Sequence, residues 1–219
     1  MKTNSQIRHE ALELMKGNWT SGVVVTLLYL VVISACATMV SVAGLGLGAL
    51  VAGGSEMVAE WVGDILNILV SIFVFYPLAM SLIIMYLSFV QRGEELSIKG
   101  LLNGFKSPYY GKSVVMYLLI AIYTFLWTLL LIVPGIIKGL SYSLAPYILA
   151  ENPELTAGEA INRSMEMMKG YKMRLFLLSL GYLLLSLLSL LALGIPLLWL
   201  YPYYQVVIAK FYEEVKANN

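Results

Sequence analysis

The chain has 219 residues, 60% of them hydrophobic and only 12% charged, with a formal net charge of +1; soluble domains hold roughly 45–50% apolar and about 25% charged residues. That balance excludes a soluble globular core and places residues 1–219 in one integral membrane domain. A single cysteine, Cys36, excludes an internal disulfide, and one histidine, His9, excludes the usual zinc spacings, so no metal, no cofactor and no nucleic-acid partner is expected.

Residues 4–16 place Ile7, Ala11, Leu14 and Met15 on one helical face and charged side chains elsewhere, which predicts an amphipathic helix in the cytoplasmic membrane interface. A first span covers about 22–44, near the ~20 residues a hydrocarbon core requires. The run stays apolar past Cys36, so it reads as a span and not as a cleaved signal. Gly44, Gly46, Gly48, Gly53 and Gly54 are expected to end that helix, and a linker with Glu56, Glu60 and Asp64 follows. The second span covers about 65–90, with a kink expected at Pro77.

A basic loop over 91–112 leads to a third span, about 113–133. The chain is expected to turn at Pro134-Gly135 into a short fourth span, about 136–150. After Asn152-Pro153, Thr156 and Glu159 have the spacing of a capping box, opening a second amphipathic interfacial helix over about 156–170. Spans over 173–193 and 197–211 complete the reading. The fold class is therefore all-α integral membrane, with six transmembrane helices in three hairpins and cytoplasmic amphipathic interfacial helices.

Thirteen of the fourteen Lys and Arg residues lie in the N-terminal segment, 91–112, 163–174 or the C-terminal end, Lys138 being the exception. Basic residues are retained on the cytoplasmic side, which predicts a multi-pass protein of the cell membrane with both termini cytoplasmic.

Residues 13–18, ELMKGN, and 166–171, EMMKGY, share Glu, Met, Lys and Gly in register. Three hairpins begin at Gly17, Gly111 and Gly170, and each return helix carries a proline beside tyrosine: Tyr76-Pro77, Pro146-Tyr147 and Tyr201-Pro202-Tyr203. An internal repeat and a shared insertion geometry both account for this pattern.

The PGII turn followed by Lys138, the SYSLAPYILAENPELTAGEAI segment, the helix end at Met168-Lys169-Gly170, and Pro202-Tyr203 followed by Phe211-Tyr212 together resemble an uncharacterised bacterial multi-pass membrane family, the domain of unknown function DUF975. The central portion is also similar, more distantly, to the membrane domain of glycerophosphodiester phosphodiesterases. That likeness implies a lipid-related setting, but the soluble catalytic domain has no counterpart in residues 1–219 and no activity carries over.

Polar residues near the apolar runs are the functional candidates, because ionisable groups in a span are costly. Glu60, Asp64, Asn67 and Ser71 form one stripe descending helix two. Lys138 is expected to snorkel outward or to pair with Asp64, with Ser141 one turn beyond. The group Asp64, Asn67, Ser71, Lys138 and Ser141 is the candidate polar path or ion pair. A Ser179, Tyr182, Ser186, Ser189 stripe reads as a packing seam, and the tyrosines and tryptophans read as interfacial belts.

No catalytic arrangement is visible, so the chain is expected not to be an enzyme. The leading expectation is a non-catalytic membrane protein acting through membrane lipids or through protein partners met by its cytoplasmic helices. The alternative is a small transporter or lipid-handling protein with a polar path between hairpins.

Overall fold

The computed structural model describes residues 2–51 and 56–219, apart from the side chains of residues 48, 49, 51, 59 and 71. All regular structure among them is helical. In chain order these are α1 (Asn4–Met15), α2 (Trp19–Val51), α3 (Glu56–Val70), a π turn (Ser71–Phe75), α4 (Tyr76–Arg92), a 3-10 segment (Ile98–Phe105), α5 (Tyr109–Leu130), α6 (Ile132–Tyr142), α7 (Ala145–Glu151), α8 (Ala157–Met167), α9 (Lys172–Leu191) and α10 (Leu197–Ala217).

Five stretches among the described residues are long and apolar enough to cross a membrane: Trp19–Leu47, Glu56–Arg92, Tyr109–Leu130, Ile132–Glu151 and Lys172–Leu191. The stretch expected as a sixth span is not one of them, because α10 runs on through Lys210, Glu213, Glu214 and Lys216.

The first span is longer than expected. Gly44 and Gly46 do not end α2, and the acidic residues expected in a linker are helical in α3. The reason lies in packing: a Cβ on Gly44 would come within 2.5 Å of the Gly63 Cα, so the glycine lets α2 and α3 touch backbone to backbone. The linker glycines Gly53 and Gly54 lie outside the described residues.

The irregularity expected at Pro77 takes the form of the π turn just before it, a widened turn that accommodates the missing proline N–H. Pro134 and Gly135 sit inside the first turn of α6, and the reversal falls instead on the extended Leu131. Gly135 is needed there because a Cβ would lie 2.2 Å from the Thr128 hydroxyl. The fourth span is interrupted at Ser143-Leu144 ahead of Pro146. The backbone groups loosened at that interruption meet one side chain: the Ser164 hydroxyl donates to the Ser141 carbonyl at 2.8 Å and accepts from the Leu144 amide at 3.2 Å.

Packing closes the elements into a ring. Paired helices follow one another as α2 with α3, α5 with α6, and α9 with α10; the first helix of each pair also touches the return helix of the preceding pair, α5 on α4, α9 on α6, and α2 on α10. A surface segment docks at each junction: the 3-10 segment on α4, α8 on α6 and α7, and α1 on α10. The centre belongs to the return helices. Helix α4 contacts both α7 and α10, Tyr147 stacks on Tyr212 at 5.5 Å, and Pro77, Pro146 and Pro202 are all buried. Met80, Tyr86, Leu144, Ile148 and Val206 are completely buried around them.

Both amphipathic helices turn their apolar faces to the protein instead of to lipid. Ile7, Ala11 and Met15 of α1 are buried, as are Ala160, Ile161 and Met167 of α8. The two helices also share their ends. Thr3 with Gln6 and Thr156 with Glu159 form complete capping boxes at nearly the same cap angles, φ −76° with ψ 161° and 160°. Each ends ahead of a left-handed glycine, Gly17 at φ 82° and Gly170 at φ 83°, a conformation that favours glycine.

Polar contacts gather at one end of the molecule. The Lys2 amide donates to Glu214 at 2.6 Å, the Arg174 guanidinium donates to Asn4 at 3.3 Å and to the Lys2 carbonyl, and Lys112 donates to the Pro153 carbonyl at 2.5 Å. Gln91 bridges Glu151 and Glu213 at 2.8 Å each. Both chain ends and the basic connections therefore share one side. The opposite reaches of α2, α5 and α9 expose Met39, Val42, Phe125, Leu129, Leu188 and Leu191.

Candidate functional site

Of the five sequence-predicted site residues, Asp64 and Asn67 line one space and Lys138 and Ser141 another. Asp64 and Asn67 line a cleft of about 290 Å³ between α2 and α3, with Ser41 and Glu60 across from and above them. The Asn67 amide donates to the Gly63 carbonyl at 3.0 Å and the Ser41 hydroxyl to the Ala37 carbonyl at 2.9 Å, so part of this polar stripe is taken up by its own helices. The Ser71 side chain lies outside the described residues.

Lys138 and Ser141 line a different cavity, of about 430 Å³, with Asn162, Met165, Glu166, Lys169 and Lys172. No residue lines both spaces, and the expected Lys138–Asp64 pair is not formed. The cause is the short α6. Lys138 lies one helical turn from Ser141, which α8 grips through Ser164, so the lysine meets the basic end of α8 rather than the acidic outer cleft. Its ammonium lies 4.7 Å from the centre of the Trp127 ring, a cation–π contact.

Sequence reasoning missed Asn162, Glu166, Lys169 and Lys172 as members of a site. The signal was present: residues 162, 166 and 169 follow one another at i, i+4 and i+7 on one face of the segment. It was absorbed into the count of cytoplasmic charges.

Two apolar clefts border corresponding surface segments, each within one pair of helices. Where α1 meets α9 and α10, Leu12, Trp19, Leu188, Trp199 and Leu200 enclose about 380 Å³. Where the 3-10 segment meets α2 and α4, Leu28, Val32, Leu78, Leu102 and Phe105 enclose about 320 Å³. Their rims are exposed: Leu12, Leu188, Trp199 and Leu102 are 43%, 61%, 45% and 61% accessible.

The remaining candidates are packing groups. Ser179 shares a 3.0 Å hydrogen bond with Tyr204, and Tyr182 stacks on Tyr204 at 4.0 Å. Ser186 and Ser189 donate to carbonyls of their own helix at 2.8 Å. Met167 and Met168 are buried. Among the described residues no three His, Cys, Asp or Glu side chains gather to hold a metal ion.

At the end bearing the chain termini, Glu10 accepts from Lys2 at 2.6 Å and lies 3.7 Å from Lys210. The Lys2 hydrogen bond holds its carboxyl below the ordinary value of 4.5, with Lys210 adding to the effect.

A family model described as "Protein of unknown function (DUF975)" matches residues 1–138 and 129–219, together the whole chain. No curated protein and no solved structure matches it.

Proposed function

The chain belongs to the DUF975 family of proteins of unknown function, and from that premise we propose that it is a non-catalytic multi-pass protein of the cell membrane, with both termini cytoplasmic, that acts through lipid at its periphery. One observation carries this reading. Clefts open where surface segments meet the outer helices and between paired helices, while the return helices at the centre are packed around buried tyrosines and prolines. A path through the middle would need polar residues converging on a central cavity, whereas Asp64 and Lys138 line separate lateral ones. Exposed apolar rims favour acyl chains, since exposed apolar patches mark interaction sites. Partner proteins, on this reading, meet the polar outer faces of α1 and α8, whose apolar faces the chain itself covers.

A photoactivatable phosphatidylcholine in reconstituted bilayers tests this, with the labelled peptides mapped by mass spectrometry. Labelling should concentrate at Leu185–Leu188 and Leu102–Phe105 and spare Leu144–Leu149. Equal labelling of the central helices, or ion or solute flux through proteoliposomes that Asp64→Asn or Lys138→Met abolishes, would overturn the reading.

A further inference from the structure

Each of the three surface segments borders a cleft, and the one at α8 gathers three lysines. The clefts at α1 and at the 3-10 segment are walled mainly by leucine and aromatic residues. The third, at α8, presents Lys138, Lys169 and Lys172 around a single carboxylate, Glu166. Elsewhere lysines that approach a carboxylate engage it directly, as Lys2 and Lys210 do with Glu10 and as Lys16 does with Glu13 at 2.6 Å. Among the described residues none of the three cavity lysines has a carboxylate within ion-pair distance. Lys138 is held by the Trp127 ring alone.

Three like charges facing one space repel one another, and half-burial of Lys138 and Lys172 reduces the solvent screening that would relieve them. We propose that this cavity binds a phosphate-bearing anion, an inference that rests on the reading of the chain as a membrane protein acting through lipid and names the headgroup chemistry it would hold. The donors are the three ammonium groups and the Asn162 amide. The Ser141 hydroxyl is committed to the Ile137 carbonyl at 2.8 Å and is left as an acceptor only. Glu166 sets the net charge of the cavity at +2 when all three lysines are protonated, enough for one phosphodiester or phosphomonoester.

Ile137 and Met173 beside the cavity are 45% and 66% exposed. A phospholipid could therefore seat its headgroup among the lysines with its chains along α6 and α9. A soluble phosphate presents the same oxygens.

The full chain in phosphatidylcholine nanodiscs containing a minor fraction of phosphatidylglycerol gives the test, with retained lipid counted by native mass spectrometry. The wild type should retain phosphatidylglycerol, and the Lys138→Gln, Lys169→Gln, Lys172→Gln triple variant should weaken retention about tenfold or more, given the contribution of each lysine to anionic-lipid binding. Lys16→Gln with Lys106→Gln, which removes two charges outside all three clefts, should leave retention unchanged. Glu166→Gln should strengthen it, and this opposite shift decides the matter if the triple variant does not fold. Displacement by millimolar inorganic phosphate would assign the site to a soluble ester, and resistance to phosphate would assign it to a lipid headgroup. Equal retention by the wild type, the triple variant and Glu166→Gln would overturn the inference. If cleft labelling by photoactivatable lipid persisted in that case, the broader reading would stand without it.

Discussion

Single residues set the close approaches on which this fold depends. Gly44 and Gly46 look alike in sequence, two glycines in a run of small and apolar residues, yet a Cβ would collide with Gly63 at the first and meet nothing within 4 Å at the second. Gly44→Ala should therefore lower the melting temperature in detergent, at a cost of about 1–3 kcal/mol for overpacking, whereas Gly46→Ala should be neutral or slightly stabilising. Equal effects would show that α2 and α3 do not touch there. Glu10 offers a second test. Its folded pKa is depressed, so its stabilising effect is present above about pH 4.5 and is lost as pH falls through the lower folded value. Because the group is about one-third exposed, the effect is modest, roughly 0.5 kcal/mol. Glu10→Gln should melt slightly lower than wild type near neutral pH and converge with it in acid. Sequence alone could not separate Gly44 from Gly46, because the difference is the position of another helix.

At the scale of elements, the amphipathic helices were legible as helices but not in their surroundings. Periodicity placed Ile7, Ala11 and Met15 on one face, and the same face would serve lipid or protein equally well. The covering element for α1 is α10, about 190 residues later in the chain, which no local pattern can announce. The Thr156 capping box was legible from spacing; the matching box at Thr3 and Gln6 was equally readable but hidden by Gln standing where Glu was expected. Thr3→Ala and Thr156→Ala should each cost about 1 kcal/mol and speed amide hydrogen exchange in the first turns of α1 and α8. Ser164→Ala should cost more, about 1–3 kcal/mol, because it leaves the buried Leu144 amide without its partner. A variant as stable as wild type would mean that the Ser143-Leu144 interruption is satisfied some other way. That interruption also explains why the site was only half read. The sequence places Lys138 four residues past Pro134, but the short α6 carries it toward α8.

For the whole molecule, the charge pattern and the contact pattern agree on one end. Hydrogen bonds there join the N-terminal segment to α10 and to the start of α9, and the start of α5 to the connection ahead of α8, and the sequence rule for basic loops assigns the same segments to one side. With Cys36→Ser as background, cysteines replacing Lys2, Lys106, Lys169 and Asn219 should all react with a membrane-impermeant maleimide only after the cytoplasmic face is opened, and a cysteine replacing Glu60 should react from outside. A split among the first four would break the assignment. Composition made the membrane class legible, and the tyrosine-proline pairs pointed to the return helices. What stayed illegible was closure, since the contacts of α5 on α4, α9 on α6 and α2 on α10 join different pairs and leave no periodic trace.

Closure has a consequence for how the protein is made. The partner of α2 across the ring is α10, which follows it by more than 140 residues in the chain, and the face it covers includes Gly22, where a Cβ would lie 3.1 Å from Pro202. Until α10 is made, α2 waits with one flank unmatched, and α1 waits with Ile7, Ala11 and Met15 uncovered. Arrival of α10 therefore completes the ring, so a product truncated before Leu197 would display the same unmatched surfaces that mark a nascent membrane protein for degradation.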